Sequence, residues 1–218
     1  MFILRRTPKI LFVSLLLVAG PAEVTGMSPK PIRLLLAELR VAEPVISPKY
    51  DRRFFPHWRD IDRNCRDTRD EVLARDSSLS TKGTCDITEG RWTSLYDGIT
   101  VHSASELEID HVVALKEAWI SGAWAWSRDR RLAYANDLGY RGALLPVTES
   151  SHGPKRDKDP ARWLPNRGVC EFAIHWIAVK WRWQLTIDLQ EKAALNKLVK
   201  GECGKRVVTG ISRYVSGG

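Results

Sequence analysis

Asp110 and His111 stand side by side at the end of a short apolar run, Leu107-Glu108-Ile109, and His152 follows 41 positions later in a polar stretch that also carries Lys155, Arg156, Asp157 and Lys158. These residue types suit metal-assisted hydrolysis. A carboxylate and an imidazole, Asp110 and His152, hold a divalent cation, while a second imidazole, His111, takes a proton from water. Imidazole is the side chain whose ordinary pKa lies nearest working pH. Adjacent residues of an extended backbone point to opposite sides, so Asp110 and His111 reach one site only if the chain bends there. Mixed nitrogen and oxygen ligation suits one ion of Mg, Mn or Zn, Mg first. Lys155, Arg156 and Lys158 would contact phosphates on either side of the scissile one. Asp157 would orient Lys155, bind the ion through water or cap a turn. Each residue alone reads equally well as a loop histidine or a solvated charge. The adjacency of Asp110 and His111, with His152 and Lys155 beyond, is what favours a site.

The chain has 218 residues and a formal charge of +8, with a pI near 9.5. Residues 1–26 read as an export signal: Arg5, Arg6 and Lys9 precede an apolar run from Ile10 to Ala19, too short to span a bilayer comfortably. An uncleaved N-terminal anchor is the rival reading. Without that segment the chain keeps a charge of about +6, which favours polyanion partners without proving one. The four cysteines at 65, 85, 170 and 203 suggest two disulfides in a secreted or extracytoplasmic protein. Sequence order favours Cys65–Cys85 and Cys170–Cys203, although four cysteines permit three pairings. Zinc ligation by cysteine is the weaker alternative, since no Cys-x-x-Cys pair exists.

Several elements must position these groups. Residues 27–49, with Pro29, Pro31, Pro44 and Pro48, read as a linker holding a short helical piece around Leu34–Leu39, and the folded domain is expected over 50–204 with a flexible tail over 205–218. A helix is expected over Arg66–Arg75, a hairpin over Gly90–Val101 around Asp97-Gly98, and strands at Leu107–Ile109 and Ala143–Val147. Ser127 caps a helix running to about Asn136, and Asp159-Pro160 reads as another helix start. Val169–Trp183 carries Phe172, Trp176, Val179 and Trp183 at a helical period. Asp188 and Glu191 form a capping box for a last helix that Gly201 stops. Trp119, Trp163, Trp176 and Trp183 are expected in the core. Trp124 and Trp126, beside Arg128, Arg130 and Arg131, could stack on bases, though core packing is favoured there too.

Together these stretches resemble the secreted HNH-type nucleases of the GmrSD-like C-terminal domain family, whose members carry a His-Xaa-Xaa-Pro motif. The matching segments are YDRRFFPHWRDIDRNCRDTRDEVL (50–73), GRWTSLYDG (90–98), EIDHVVALKEAWISGAWAW (108–126), AYANDL (133–138), LLPVTESSHGPKRDKDPARWLP (144–165) and the segment from Cys170 to Cys203. The resemblance implies an α+β fold with a His-Me finger (ββα-metal) core, additional helices and two disulfides. It implies His111 as general base and Asp110 and His152 as metal ligands, His152 standing where many members have Asn. Lys155 and Asp157 match that family's Lys and Asp, and Arg69 and Glu71 match a Thr-Arg-x-Glu-Val-Leu block that would approach the site. Ala114 replaces the motif's proline. Ala143 stands where a polar side chain is common, which calls for a backbone carbonyl to hold the His111 ring instead. The expected function is an exported, metal-dependent endonuclease cutting DNA, and RNA as well, with little sequence specificity. It would work as a monomer with nucleic acid as partner and no lasting membrane association. The alternatives are an inactive nuclease-like module that adheres to polyanions and a toxin nuclease effector.

Overall fold

A computed structural model of the chain describes residues 28–81 and 83–215; the export segment expected over 1–26 lies outside them. In chain order the elements are β1 (Lys30–Pro31), α1 (Ile32–Glu38), α2 (Thr68–Asp76), β2 (Glu89–Thr93), β3 (Thr100–Ser103), β4 (Leu107–His111), α3 (Leu115–Ile120), α4 (Arg128–Ala135), β5 (Leu144–Thr148), α5 (Glu149–Lys155), α6 (Val169–Trp183), α7 (Leu189–Lys200) and β6 (Val207–Val208). The fold is α+β, with three small antiparallel pairs, β1–β6, β2–β3 and β4–β5, set among the helices.

The β4–β5 pair carries Asp110 and His111. Its register sets Ile109 opposite Pro146 and His111 opposite Leu144. Pro146 is tolerated because each strand of a two-stranded pair is an edge, where a missing N–H leaves no ladder position empty. Leu144, Leu145 and Val147 are all buried, so β5 reads as a continuous apolar run and not as an alternating one. Helix α2 fastens both strands through two guanidinium groups. Arg69 donates to the carbonyls of Ala104 and Leu107 at 2.9 and 3.0 Å, and Arg75 to that of Leu144 at 2.8 Å. The β2–β3 hairpin turns through Asp97-Gly98. Asp97 accepts from the Ile99 amide, and Gly98 takes φ +76°, a left-handed conformation that glycine adopts without steric penalty.

Helix α6 occupies its expected span. Phe172, Trp176, Val179 and Trp183 are buried as its period requires, and so are Ile177 and Trp181 on other faces. Fully burying one such side chain stabilises by about 1.5–3 kcal/mol. Both disulfides form in the favoured pairing, Cys65–Cys85 with Cα atoms 5.3 Å apart and Cys170–Cys203 at 5.0 Å. The second joins the start of α6 to the residues just past α7.

Four expectations are corrected. Residues 28–49 hold the expected short helix, α1, but are not a linker: Ile32, Leu35, Leu36 and Leu39 recur at helical spacing and bury one face of α1 in the core. The tail is not loose through 215. Val207–Val208 pairs with β1, Ile211 is buried, and the Tyr214 ring stacks on Trp183 at 4.0 Å. The domain therefore runs beyond both expected boundaries. Asp159-Pro160 opens only a turn, closed by the Arg162 and Trp163 amides on the Asp159 carbonyl. The capping box of α7 is half made: Asp188 accepts from the Glu191 amide, but the Glu191 carboxylate turns inward to Trp176 and Lys180.

Candidate functional site

His111 closes β4, where the next amide, Val112, bonds to the Ala143 carbonyl. Its ring lies between two aromatic rings, Trp58 with centroids 5.6 Å away and Tyr134 at 6.4 Å, tilted by 29° and 19°. Its Nε2 is 2.9 Å from the carbonyl oxygen of Ala135 at the end of α4. A carbonyl can only accept, so Nε2 carries the hydrogen and Nδ1 is left with its lone pair. Burial pushes the imidazole pKa down to about 3 against the support of that hydrogen bond, with His57, Arg52 and Lys155 pushing the same way as burial. At neutral pH the ring is uncharged and able to take a proton. The carbonyl that orients it belongs to Ala135, and no side chain is needed at position 143.

Asp110 is buried beside it and held at both oxygens. The Tyr96 hydroxyl donates to Oδ2 at 2.7 Å and the Lys155 ammonium to Oδ1 at 2.9 Å. The His152 Nε2 lies 3.6 Å from the same Oδ1, with 37% of its side chain exposed. That is too long for a hydrogen bond and near the separation, about 3 Å, of two neighbouring ligands around a small octahedral cation bound at ~2.1 Å. His152 lies on α5, a helix where the sequence had suggested only a polar stretch. The end of β4 and helix α5 thus bring Asp110, His111 and His152 to one place.

These three line a cleft of about 320 Å³, together with Tyr50, Arg52, Trp58, Lys116, Arg156 and Asp157 among others. The other expected site residues divide. Arg156 is exposed at the cleft. Lys155 is not a phosphate contact: it is fully buried, and its ammonium donates to Asp110 and to the His111 carbonyl at 3.1 Å. Lys158 folds back to the Pro154 carbonyl at 2.9 Å and does not line the cleft. Asp157 pairs with Lys116 at 2.6 Å, which holds its carboxyl below the usual range, and it does not touch Lys155. Arg69 and Glu71 stop short of the cleft. Arg69 binds the carbonyls at the start of β4, and Glu71 accepts from the Asn64 amide at 2.6 Å.

Sequence reasoning passed over Tyr96, Tyr50, Arg52, Trp58 and Lys116. A signal existed for Tyr96, because a buried phenol needs a partner for its hydroxyl. Trp58 has φ +55°, a strained backbone for a bulky residue, which no sequence pattern announces. Trp126, by contrast, is half-buried and packs against the core, on Trp183 and Tyr134 with Arg130 over its ring; Trp124 is exposed.

As a cation site the donor set is sparse. Among the described residues no three His, Cys, Asp or Glu side chains converge. Asp110 and His152 fit an ion that keeps most of its water, as Mg or Mn does, better than a zinc centre with three protein ligands.

The chain is similar to a secreted protein of Arthroderma benhamiae (strain ATCC MYA-4681 / CBS 112371), described as uncharacterized. The two are 39% identical over 168 residues, covering 76% of this chain and 81% of that protein. No family model and no solved structure matches. A secreted relative and two formed disulfides agree with the export expected from residues 1–26: the protein is secreted or otherwise extracytoplasmic. No helix among the described residues is long and apolar enough to cross a membrane.

Proposed function

The chain belongs to one family with this secreted protein of Arthroderma benhamiae, and from the geometry of its own site we propose that it is an exported, metal-dependent endonuclease of the HNH type, cutting phosphodiester bonds of DNA, and of RNA as a second substrate, with little sequence preference. The observation that carries the reading is the convergence of a neutral, carbonyl-oriented His111 with Asp110 and His152 in one cleft. An antiparallel β4–β5 pair followed directly by α5 supports this reading.

Asp110 and His152 would hold the cation, which would supply positive charge next to the scissile phosphate when bound. His111 takes the proton of the attacking water on Nδ1. The cost of an imidazolium in a buried setting is offset by the phosphodiester anion that fills the cleft. Ala135 keeps the ring in the productive tautomer, and the flanking Trp58 and Tyr134 rings restrict its rotation. Arg52, Lys116 and Arg156 line the cleft and attract the backbone on either side.

The test is digestion of plasmid DNA and of RNA by the mature protein, with EDTA and with Mg, Mn and Zn in turn. Cleavage with Mg or Mn that EDTA abolishes is expected. No cleavage of either polymer with any of the three ions overturns the reading and favours a polyanion-binding module.

A further inference from the structure

We infer that Lys155 is a built-in counter-cation for the ligand carboxylate: it holds Asp110 in place before a divalent ion arrives, and its charge sets how tightly that ion binds. The inference rests on the reading that Asp110 and His152 hold the ion.

Three observations carry it. Asp110 and Lys155 are both buried, and the second oxygen of Asp110 meets only the neutral Tyr96 hydroxyl. Apart from His152, Lys155 is the one cationic side chain within 4 Å of this carboxylate among the described residues. A buried carboxylate with no counter-charge is strongly disfavoured, so without Lys155 the fold would depend on the ion.

Second, Lys155 and His152 address the same atom. Nζ is 2.9 Å and Nε2 3.6 Å from Asp110 Oδ1. The two residues are three apart on α5 and share its face. One short helix thus brings both the neutral ligand and the resident cation to one carboxylate oxygen, and an ion held there would share that oxygen with an ammonium. Like charges so close weaken binding of the ion.

Third, the same ammonium donates to the His111 carbonyl. Lys155 therefore fixes the backbone that carries the proposed base as well as the side chain of the ligand. It is a positioning residue that touches neither water nor substrate.

Calorimetric titration with Mn of the mature wild-type protein and of Lys155→Met is the test, with melting curves recorded in EDTA and in Mn. In EDTA the wild type should melt where it does without additive, because Lys155 already compensates Asp110. Lys155→Met should bind Mn about 10- to 100-fold more tightly, and Mn should raise its melting temperature more than that of wild type. If Lys155→Met is unfolded in EDTA, Mn should restore its tryptophan fluorescence; failure to do so overturns the inference. The double variant Lys155→Met/Asp110→Asn should fold in EDTA and bind no Mn. If it is as unstable as Lys155→Met, lost packing and not lost charge is the cause, and the inference falls. Equal or weaker Mn affinity in Lys155→Met also overturns it while leaving the proposed cation site intact. No Mn binding by either protein sinks both.

Discussion

Among the described residues two lysines are fully buried, and they are used differently. Lys180, on α6, sits between two helices and is saturated. It donates to Glu117 at 2.7 Å, to Ser121 and the Thr186 carbonyl at 2.9 Å, and to Glu191 at 2.9 Å. Its two carboxylates come from α3 and α7, and neither lines the cleft. Lys155 has one carboxylate and one carbonyl, and that carboxylate borders the cleft beside His152. The sealed cluster therefore ties three helices together. The open one has a face left for a ligand. Burial of a charge does not itself mark a site. What distinguishes a site is a buried charge whose partner still has a coordinating direction toward solvent.

The contrast is broken most directly at the cleft. His111→Ala should cut the proposed nuclease rate by about 10²- to 10⁴-fold, the usual loss for a general base, while the protein still melts cooperatively. Rates come from plasmid nicking in Mg. A variant keeping more than half of wild-type activity would show that the open cluster is as structural as the sealed one.

At the sealed cluster the expected effect is on stability. Lys180→Met leaves Glu117 and Glu191 facing each other without a counter-charge. Removing one partner of a buried ion pair typically costs about 3–5 kcal/mol. Urea unfolding should register that loss, while the rate per folded molecule stays within about twofold of wild type. The opposite pattern, a tenfold lower proposed nuclease rate at unchanged stability, would mean that α3 transmits strain from this cluster to the cleft.

The two regions were not equally legible in the sequence. Asp110, His111 and His152 stood out because catalytic types at strand and polar-stretch positions carry their own signal. The span of α6 was legible from its apolar period, and both disulfides from cysteine order. The buried lysines were not. Lys155 opens a run of five charged residues, which reads as a solvated loop, and only the fold shows that its side chain turns inward. Lys180 and Glu117 are 63 positions apart, so nothing local pairs them. Glu191 had a local explanation, the capping box, and the tertiary partner won because a buried ammonium needs the carboxylate more than an amide does. The proline-rich start misled in a similar way. Prolines at 29, 31, 44 and 48 flank α1 without entering it, so their density suggested a linker around the expected short helix and hid that one face of that helix is buried in the core.

The smallest expected effect is a pH dependence. Burial, helped by the like charge of Glu117, raises the Glu191 pKa from 4.5 to about 7 against the opposing pull of Lys180. The folded state thus holds this proton more tightly than the unfolded chain does. Its stabilising contribution is complete below about pH 4.5 and is lost as pH rises through 7. Lys180, whose pKa is raised by its two carboxylates against burial, contributes stability that disappears only above 10.5, and so adds no slope in this window. His175 works the other way. Burial lowers its pKa from 6.5 to about 4, so its contribution is complete above 6.5 and lost as pH falls through 4. The two slopes oppose each other between about pH 4.5 and 6.5, and wild type should be nearly flat there. Glu191→Gln keeps the side-chain shape and an acceptor for Trp176 but cannot ionise. It should lose stability relative to wild type at pH 5 and regain about 1–2 kcal/mol of that difference by pH 7.5. Urea midpoints at the two pH values check this. A difference between the two proteins that is the same at both would place the titrating proton outside the sealed cluster.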